Sequence, residues 1–157
     1  MKFTISAFAE NKPGVLYRVT DLFLRRKINI ESLTASETEK VGISKFTIVV
    51  DADANIVEKI VKQLYRIIEV IKVSENLDRD IVFREIALIK VHAKDLNSRQ
   101  EIDHLTQLFK AKIIHVTKES LIVEIAGDEE EIIGLFNLLK PFGIKEFVRS
   151  GRISVLK

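Results

Sequence analysis

Glu10-Asn11-Lys12-Pro13-Gly14, followed at once by Val15-Leu16-Tyr17-Arg18-Val19, is the stretch from which the fold can be read. Just before it, Phe3, Ile5, Ala7 and Ala9 alternate with other residue types, the period of a strand with one buried face. Pro13-Gly14 then turns the chain into apolar or small positions 15, 16, 19, 22 and 23, spaced for one face of a helix. A strand therefore feeds a helix N-terminus. The first amides of such a helix have no partners of their own, and the positive end of its dipole favours a carboxylate or phosphate. Asn11 could add a side-chain amide, and Gly14 has no Cβ to block close approach. The same residues also fit a plain capped turn with Asn11 as the cap.

Working outward, residues 3–9 are predicted as a strand and residues 13–26 as a helix burying Val15, Leu16, Val19, Leu22 and Phe23. Arg25-Arg26-Lys27 closes that helix, where cations suit the negative dipole end. Residues 29–36 and the β-branched run 43–50 read as strands joined through a polar turn with Glu39, Lys40 and Gly42, an antiparallel hairpin. Residues 51–55 supply N-cap candidates for a second helix through Ile56, Val57, Ile60, Val61, Leu64 and Ile68, and residues 70–73 form a fourth strand. The order is βαββαβ.

A polar break at residues 76–80 separates this unit from a second reading of the same order. There, residues 84–93 give a strand and residues 98–109 a helix through Ile102, Leu105, Leu108 and Phe109. Residues 112–117 and 121–126 give a hairpin, and Gly127-Asp128-Glu129-Glu130-Glu131 opens a last helix whose acidic first turn matches its dipole. Pro141 and Gly143 end it before strands at 144–148 and 153–156. The expected fold class is α+β, with two ferredoxin-like βαββαβ domains at residues 1–76 and 81–157. In such a unit both helices cover one sheet face and leave the other open. Ala87, Ile89 and Val91 would face one side and Ile86 and Leu88 the other, an apolar face that marks a partner surface. The second strand and first helix are candidates for edges through which two copies pair.

Composition narrows the function. With 46% hydrophobic and 31% charged residues the chain is globular, and its apolar runs are too short to span a bilayer, so no membrane segment is expected. It opens directly into strand-like alternation and has no cysteine, as expected of a cytoplasmic protein. A net charge of +2 does not argue for nucleic acid. The Lys/Arg-Gly-Phe/Tyr pattern of RNA-recognition modules is missing, since Gly42-Ile43-Ser44-Lys45-Phe46 offers one aromatic. His92 and His115 have no partner at metal-ligand spacing, and no nucleophile with a base can be assigned. No catalytic residue and no metal site is expected; a small-ligand sensor using the helix N-terminus is.

Glu10-Asn11-x-x-Gly14-x-Leu16-x-Arg18-Val19, Asn29-Ile30-Glu31-Ser32-Leu33-Thr34, Lys62-Gln63-Leu64, Val73-Ser74-Glu75, Arg84-Glu85-Ile86 and Arg149-Ser150-Gly151 together resemble the small, regulatory subunit of acetolactate synthase. The first motif alone would suggest only an ACT domain. The resemblance implies an N-terminal ACT domain that senses an amino acid and dimerises, and a C-terminal ACT-like domain that contributes to activating the catalytic large subunit. Thiamine diphosphate, Mg and FAD would belong to that large subunit, with no cofactor in this chain. It also implies feedback inhibition by valine, or binding of another branched-chain amino acid, in branched-chain amino acid biosynthesis. The implied site takes Asn11, Lys12, Pro13, Gly14, Val15 and Leu16 from one protomer of a homodimer and Asn29 and Ile30 from the other. A stand-alone ACT-domain sensor acting on another partner is the alternative.

Overall fold

The computed structural model describes every residue, Met1–Lys157. The chain divides into two compact units, Met1–Phe83 with Gly151–Lys157, and Arg84–Ser150.

In the first unit the order is β1 (Lys2–Glu10), α1 (Val15–Arg25), β2 (Ile30–Glu37), β3 (Ile43–Asp51), α2 (Ala54–Leu64) and β4 (Val70–Asn76). The strands form an antiparallel sheet in the order β2-β3-β1-β4. Phe3, Ile5, Ala7 and Ala9 are buried on the helix-facing side with Phe46, Ile48 and Val50. Against them lie Val15, Val19 and Phe23 of α1 and Val57, Ile60 and Leu64 of α2. Each large side chain so buried contributes about 1.5–3 kcal/mol relative to exposure.

Two helix expectations are corrected. The stripe of α1 runs at i, i+4, i+8 through Val15, Val19 and Phe23, so Leu16, about 100° around the helix, is 41% exposed and Leu22 only half-buried. Because α2 ends at Leu64, the helical period no longer applies at Ile68, which is exposed.

The second unit holds most of β5 (Ile81–His92), then α3 (Leu96–Leu108), β6 (Lys112–Val116), β7 (Ser120–Gly127), α4 (Glu129–Leu139) and β8 (Ile144–Arg149), with the sheet order β6-β7-β5-β8. Ala87, Ile89 and Val91 face a core with Val123, Ile125, Ile102, Ile132 and Leu135, whereas Ile86 and Leu88 are exposed on the other face. Asp95 caps α3 by accepting the Ser98 N–H at 2.6 Å. The buried stripe of α3 runs through Ile102 and Thr106, so Leu108 falls outside it and is exposed, reversing the expectation for Leu108. The acidic run is resolved as a capping box. Asp128 accepts from the Glu131 N–H at 2.9 Å, and Glu131 accepts from the Asp128 N–H at 2.9 Å.

The expected second domain, residues 81–157, differs from the compact unit at both ends. Residues 81–83 and the last seven, including β9 (Ile153–Leu156), pack with the first unit. The reason is a set of polar anchors. Arg152, buried, donates to Asp78 Oδ1 at 2.7 Å and to Thr4 Oγ1 at 3.2 Å, and its guanidinium lies 3.9 Å from the Phe83 ring centroid. Thr34 Oγ1 donates to the Arg152 carbonyl at 3.1 Å, Lys45 Nζ donates to the Ser154 carbonyl, and Lys157 Nζ donates to the Arg79 carbonyl at 2.6 Å. Burial pushes the Lys45 amine below its ordinary value. Thr4, Thr34 and Lys45 belong to the sheet face opposite the helices, so that face is not open as expected but carries the C-terminal segment.

Gly151 permits this contact, with φ of +78° and a position where a Cβ would lie 3.2 Å from both Ser32 Cβ and Thr34 Oγ1. Gly42 has φ of +80° and open space around it. Gly42→Ala should therefore cost only the left-handed backbone penalty, about 1–2 kcal/mol, and Gly151→Ala measurably more. Denaturant melts of the two variants read the difference; equal losses would mean the close approach at Gly151 carries no energy.

Candidate functional site

The turn after β1 is held on two sides by backbone bonds. The Asn11 N–H donates to the Gly42 carbonyl at 2.8 Å, and the Glu10 N–H donates to the Glu69 carbonyl at 2.9 Å. Gly14 is the N-cap of α1, with φ of +85° and no side-chain cap. That corrects the capped-turn reading of Asn11, whose backbone rather than its side chain supplies the link. The first i→i−4 bond of α1 runs from the Arg18 N–H to the Gly14 carbonyl at 3.1 Å. The amides of Leu16 and Tyr17 consequently fall in the first helical turn, before the ladder begins.

Beside this turn is a cavity of about 290 Å³. Glu10, Asn11 and Lys12 of the turn and Leu16 of α1 line one side, Ala35, Ser36 and Glu37 of β2 and Ser44 and Phe46 of β3 the other. Strand register explains the gathering: Ala35 is opposite Phe46 and Phe46 opposite Ala7, while Glu37 is opposite Ser44 and Ser44 opposite Ala9. These two rows form the floor just beyond the N-terminus of α1. The lining joins both signs of charge to a short apolar patch, suited to a small zwitterion with an apolar side chain.

Much of the charge is already paired. Lys12 Nζ lies 2.6 Å from Glu10 Oε2, and the hydrogen bond and then the charge of Glu10 raise the Lys12 amine above its usual range. Both are exposed, so the pair contributes little to stability. Glu37 Oε1 accepts the Gly42 N–H at 2.8 Å, tying β2 to the turn before β3.

Of the eight residues expected at the site, Asn11, Lys12 and Leu16 line the cavity, and Pro13 and Gly14 are exposed in the adjoining turn. Val15 does not line the cavity and is buried in the core at 1% exposure. Asn29 and Ile30 do not line the cavity of their own chain, because they stand at the start of β2 and the lining residues at its end. Five to eight positions separate them, roughly 16–26 Å of extended chain. Ala35, Ser36, Glu37, Ser44 and Phe46 escaped sequence reasoning. The one available signal was the small residues Ala7 and Ala9, which only the register connects to them. No group of three or more His, Cys, Asp or Glu residues has the arrangement of a metal site, and no helix is long and apolar enough to cross a membrane.

A family model described as the small subunit of acetolactate synthase matches residues 84–157, and one described as the AHAS small subunit-like ACT domain matches residues 5–72. The chain is 46% identical over 157 residues to the "probable acetolactate synthase small subunit" of Archaeoglobus fulgidus, covering 100% of this chain and 98% of that one. It is 45% identical over 152 residues to the acetolactate synthase small subunit of Mycolicibacterium smegmatis, covering 97% and 89%. The crystal structure of the acetolactate synthase small subunit from Thermotoga maritima is similar with a TM-score of 0.91 at 38% identity, covering 100% of this chain and 98% of that one.

Because the Asn11 side chain is not the cap of α1, Asn11→Ala should cost less than about 0.5 kcal/mol, against about 1 kcal/mol for loss of a side-chain cap. Urea melts of the full chain measure this; a loss above that range would restore the capping role.

Proposed function

The chain belongs to the acetolactate synthase small-subunit family, and from that premise we propose that it activates a catalytic large subunit and makes it sensitive to valine. Its role is regulatory. Thiamine diphosphate, Mg and FAD are assigned to the large subunit, and this chain supplies the ligand site and no catalysis of its own.

The observation that carries the ligand reading is the cavity between the unpaired first turn of α1 and the edge strand β2. The amides of Leu16 and Tyr17 offer donors at the positive helix end for the valine carboxylate. Leu16, Ala35 and Phe46 offer apolar contact for its isopropyl group. Valine, leucine and isoleucine differ by one methylene or its position, a difference of about 1–3 kcal/mol in such a pocket, so the neighbouring branched amino acids compete at higher concentration.

The position of Asn29 and Ile30 supports a homodimer through this unit. β2 is a sheet edge with unpaired backbone groups. Two copies pairing antiparallel along β2 would bring the start of one strand beside the end of the other, and so Asn29 and Ile30 of one protomer near Ser36 and Glu37 of its partner. Such an interface is isologous and closed.

The test is a valine titration of the complex reconstituted with its large subunit. Gly14→Asp places a carboxylate against the proposed carboxylate site; at a few kcal/mol of repulsion, and about 1.4 kcal/mol per tenfold, it should abolish inhibition. Activation should persist, since Asp tolerates the left-handed backbone of Gly14 better than most residues and a Cβ there meets nothing within 4 Å. Unchanged inhibition would remove the turn from the site. Sedimentation of the free chain at micromolar concentration should show a dimer that the edge-strand substitution Leu33→Pro disrupts; a wild-type monomer would overturn the two-protomer site.

A further inference from the structure

We infer that Arg18 and Glu69, neither of which lines the cavity, position the ligand turn. The inference rests on the ligand reading above and assigns to this pair the geometry that reading needs. The first turn of α1 contains no acidic residue, although the positive helix end favours one. Glu69, in the turn between α2 and β4, supplies that acid from another element. Its Oε1 accepts from Arg18 Nη2 at 2.5 Å, and its backbone carbonyl accepts the Glu10 N–H at 2.9 Å. One residue thus grips both ends of the turn, the last residue of β1 and the first turns of α1. Arg18 Nε also points to the Gly14 carbonyl at 3.5 Å, a long contact that brings the N-cap itself into the same group.

The grip is specific to Arg18. The Glu69 side chain is mostly buried, and its second oxygen, Oε2, is buried without a hydrogen-bond partner. Arg18 is therefore the cation bonded to this carboxylate. Its hydrogen bond, then that of the Glu69 backbone, holds Glu69 below the usual carboxylate range, with weaker help from the charges of Arg18 and Lys12. A depressed carboxylate of this kind contributes at neutral pH and loses its contribution only as pH falls through its folded value. On the other side the turn is held by the Asn11 N–H bond to the Gly42 carbonyl and by the pairing of Glu10 with Ile43. Without the Arg18–Glu69 link, α1 would keep its buried stripe but its first turn would lose the tie that holds the Leu16 and Tyr17 amides in place.

Two measurements on the full-length chain decide this. Hydrogen exchange without ligand reads positioning directly: Arg18→Gln and Glu69→Gln should each speed exchange of the Leu16 and Tyr17 amides at least fivefold while amides of β3 keep their rates. Calorimetry against valine reads the consequence: each single variant should bind at least tenfold more weakly. The exchanged pair Arg18→Glu with Glu69→Arg should recover most of the affinity, and Arg18→Lys part of it. Unchanged amide exchange in both single variants would overturn the inference whatever valine does. Loss of affinity without rescue by the exchanged pair, accompanied by a lowered global melt, would also overturn it by reducing the pair to a structural contact. If the wild-type chain itself fails to bind valine, the ligand reading fails, and the exchange rates still decide whether the pair positions the turn.

Discussion

A slip of one residue in the pairing of β1 with β3 would turn Ile5, Ala7 and Ala9 away from the helices and bring Thr4, Ser6 and Phe8 into the core. Everything else in the first unit depends on that register. It buries Ile5 beside Ile48 and Phe3 beside Val50, and it puts Ala7 and Ala9 opposite Phe46 and Ser44. The same constraint thus makes the core under α1 and the floor of the cavity at its end. The site is the place where the helix-facing side of the sheet runs past the helix that covers it.

On the other side of the same strands, Thr4, Ser6 and Thr47 are buried polar residues that the helices do not touch. A buried hydroxyl costs free energy unless it is hydrogen-bonded. Arg152 donates to the Thr4 hydroxyl, its carbonyl accepts from the Thr34 hydroxyl, and Phe83 gives the guanidinium an aromatic face. The polarity of this face is thereby met in part by the chain itself. It is the seat of a segment that returns from the far end of the chain. Ser32 and Thr34, which alternate along β2 as if merely solvated, are the residues against which Gly151 and Arg152 rest.

Around the ligand turn the charges form local pairs. Lys12 is paired with Glu10 and Arg18 with Glu69, while Glu37, on the cavity wall, accepts the Gly42 N–H and has no cation partner.

Alternation at residues 3–9, the i+4 stripe of α1 and the Pro13-Gly14 turn were legible in the sequence because each is a short-range pattern dictated by backbone geometry. They determined the α+β class, the repeated element order and the location of the turn. Tertiary structure decided what those patterns meet. It placed Ala35, Glu37, Ser44 and Phe46 around the turn, because strand register joins residues as far apart as Ala9 with Ser44 and Ala7 with Phe46, with no trace in local spacing. It carried Gly151–Lys157 back to the first unit, because the anchors Thr4, Asp78 and Phe83 become a single surface only after the chain has folded. It also exposed Leu16 and buried Val15, since helical phase, fixed by the core that Val15 enters, chooses which of two adjacent apolar residues lines the cavity instead.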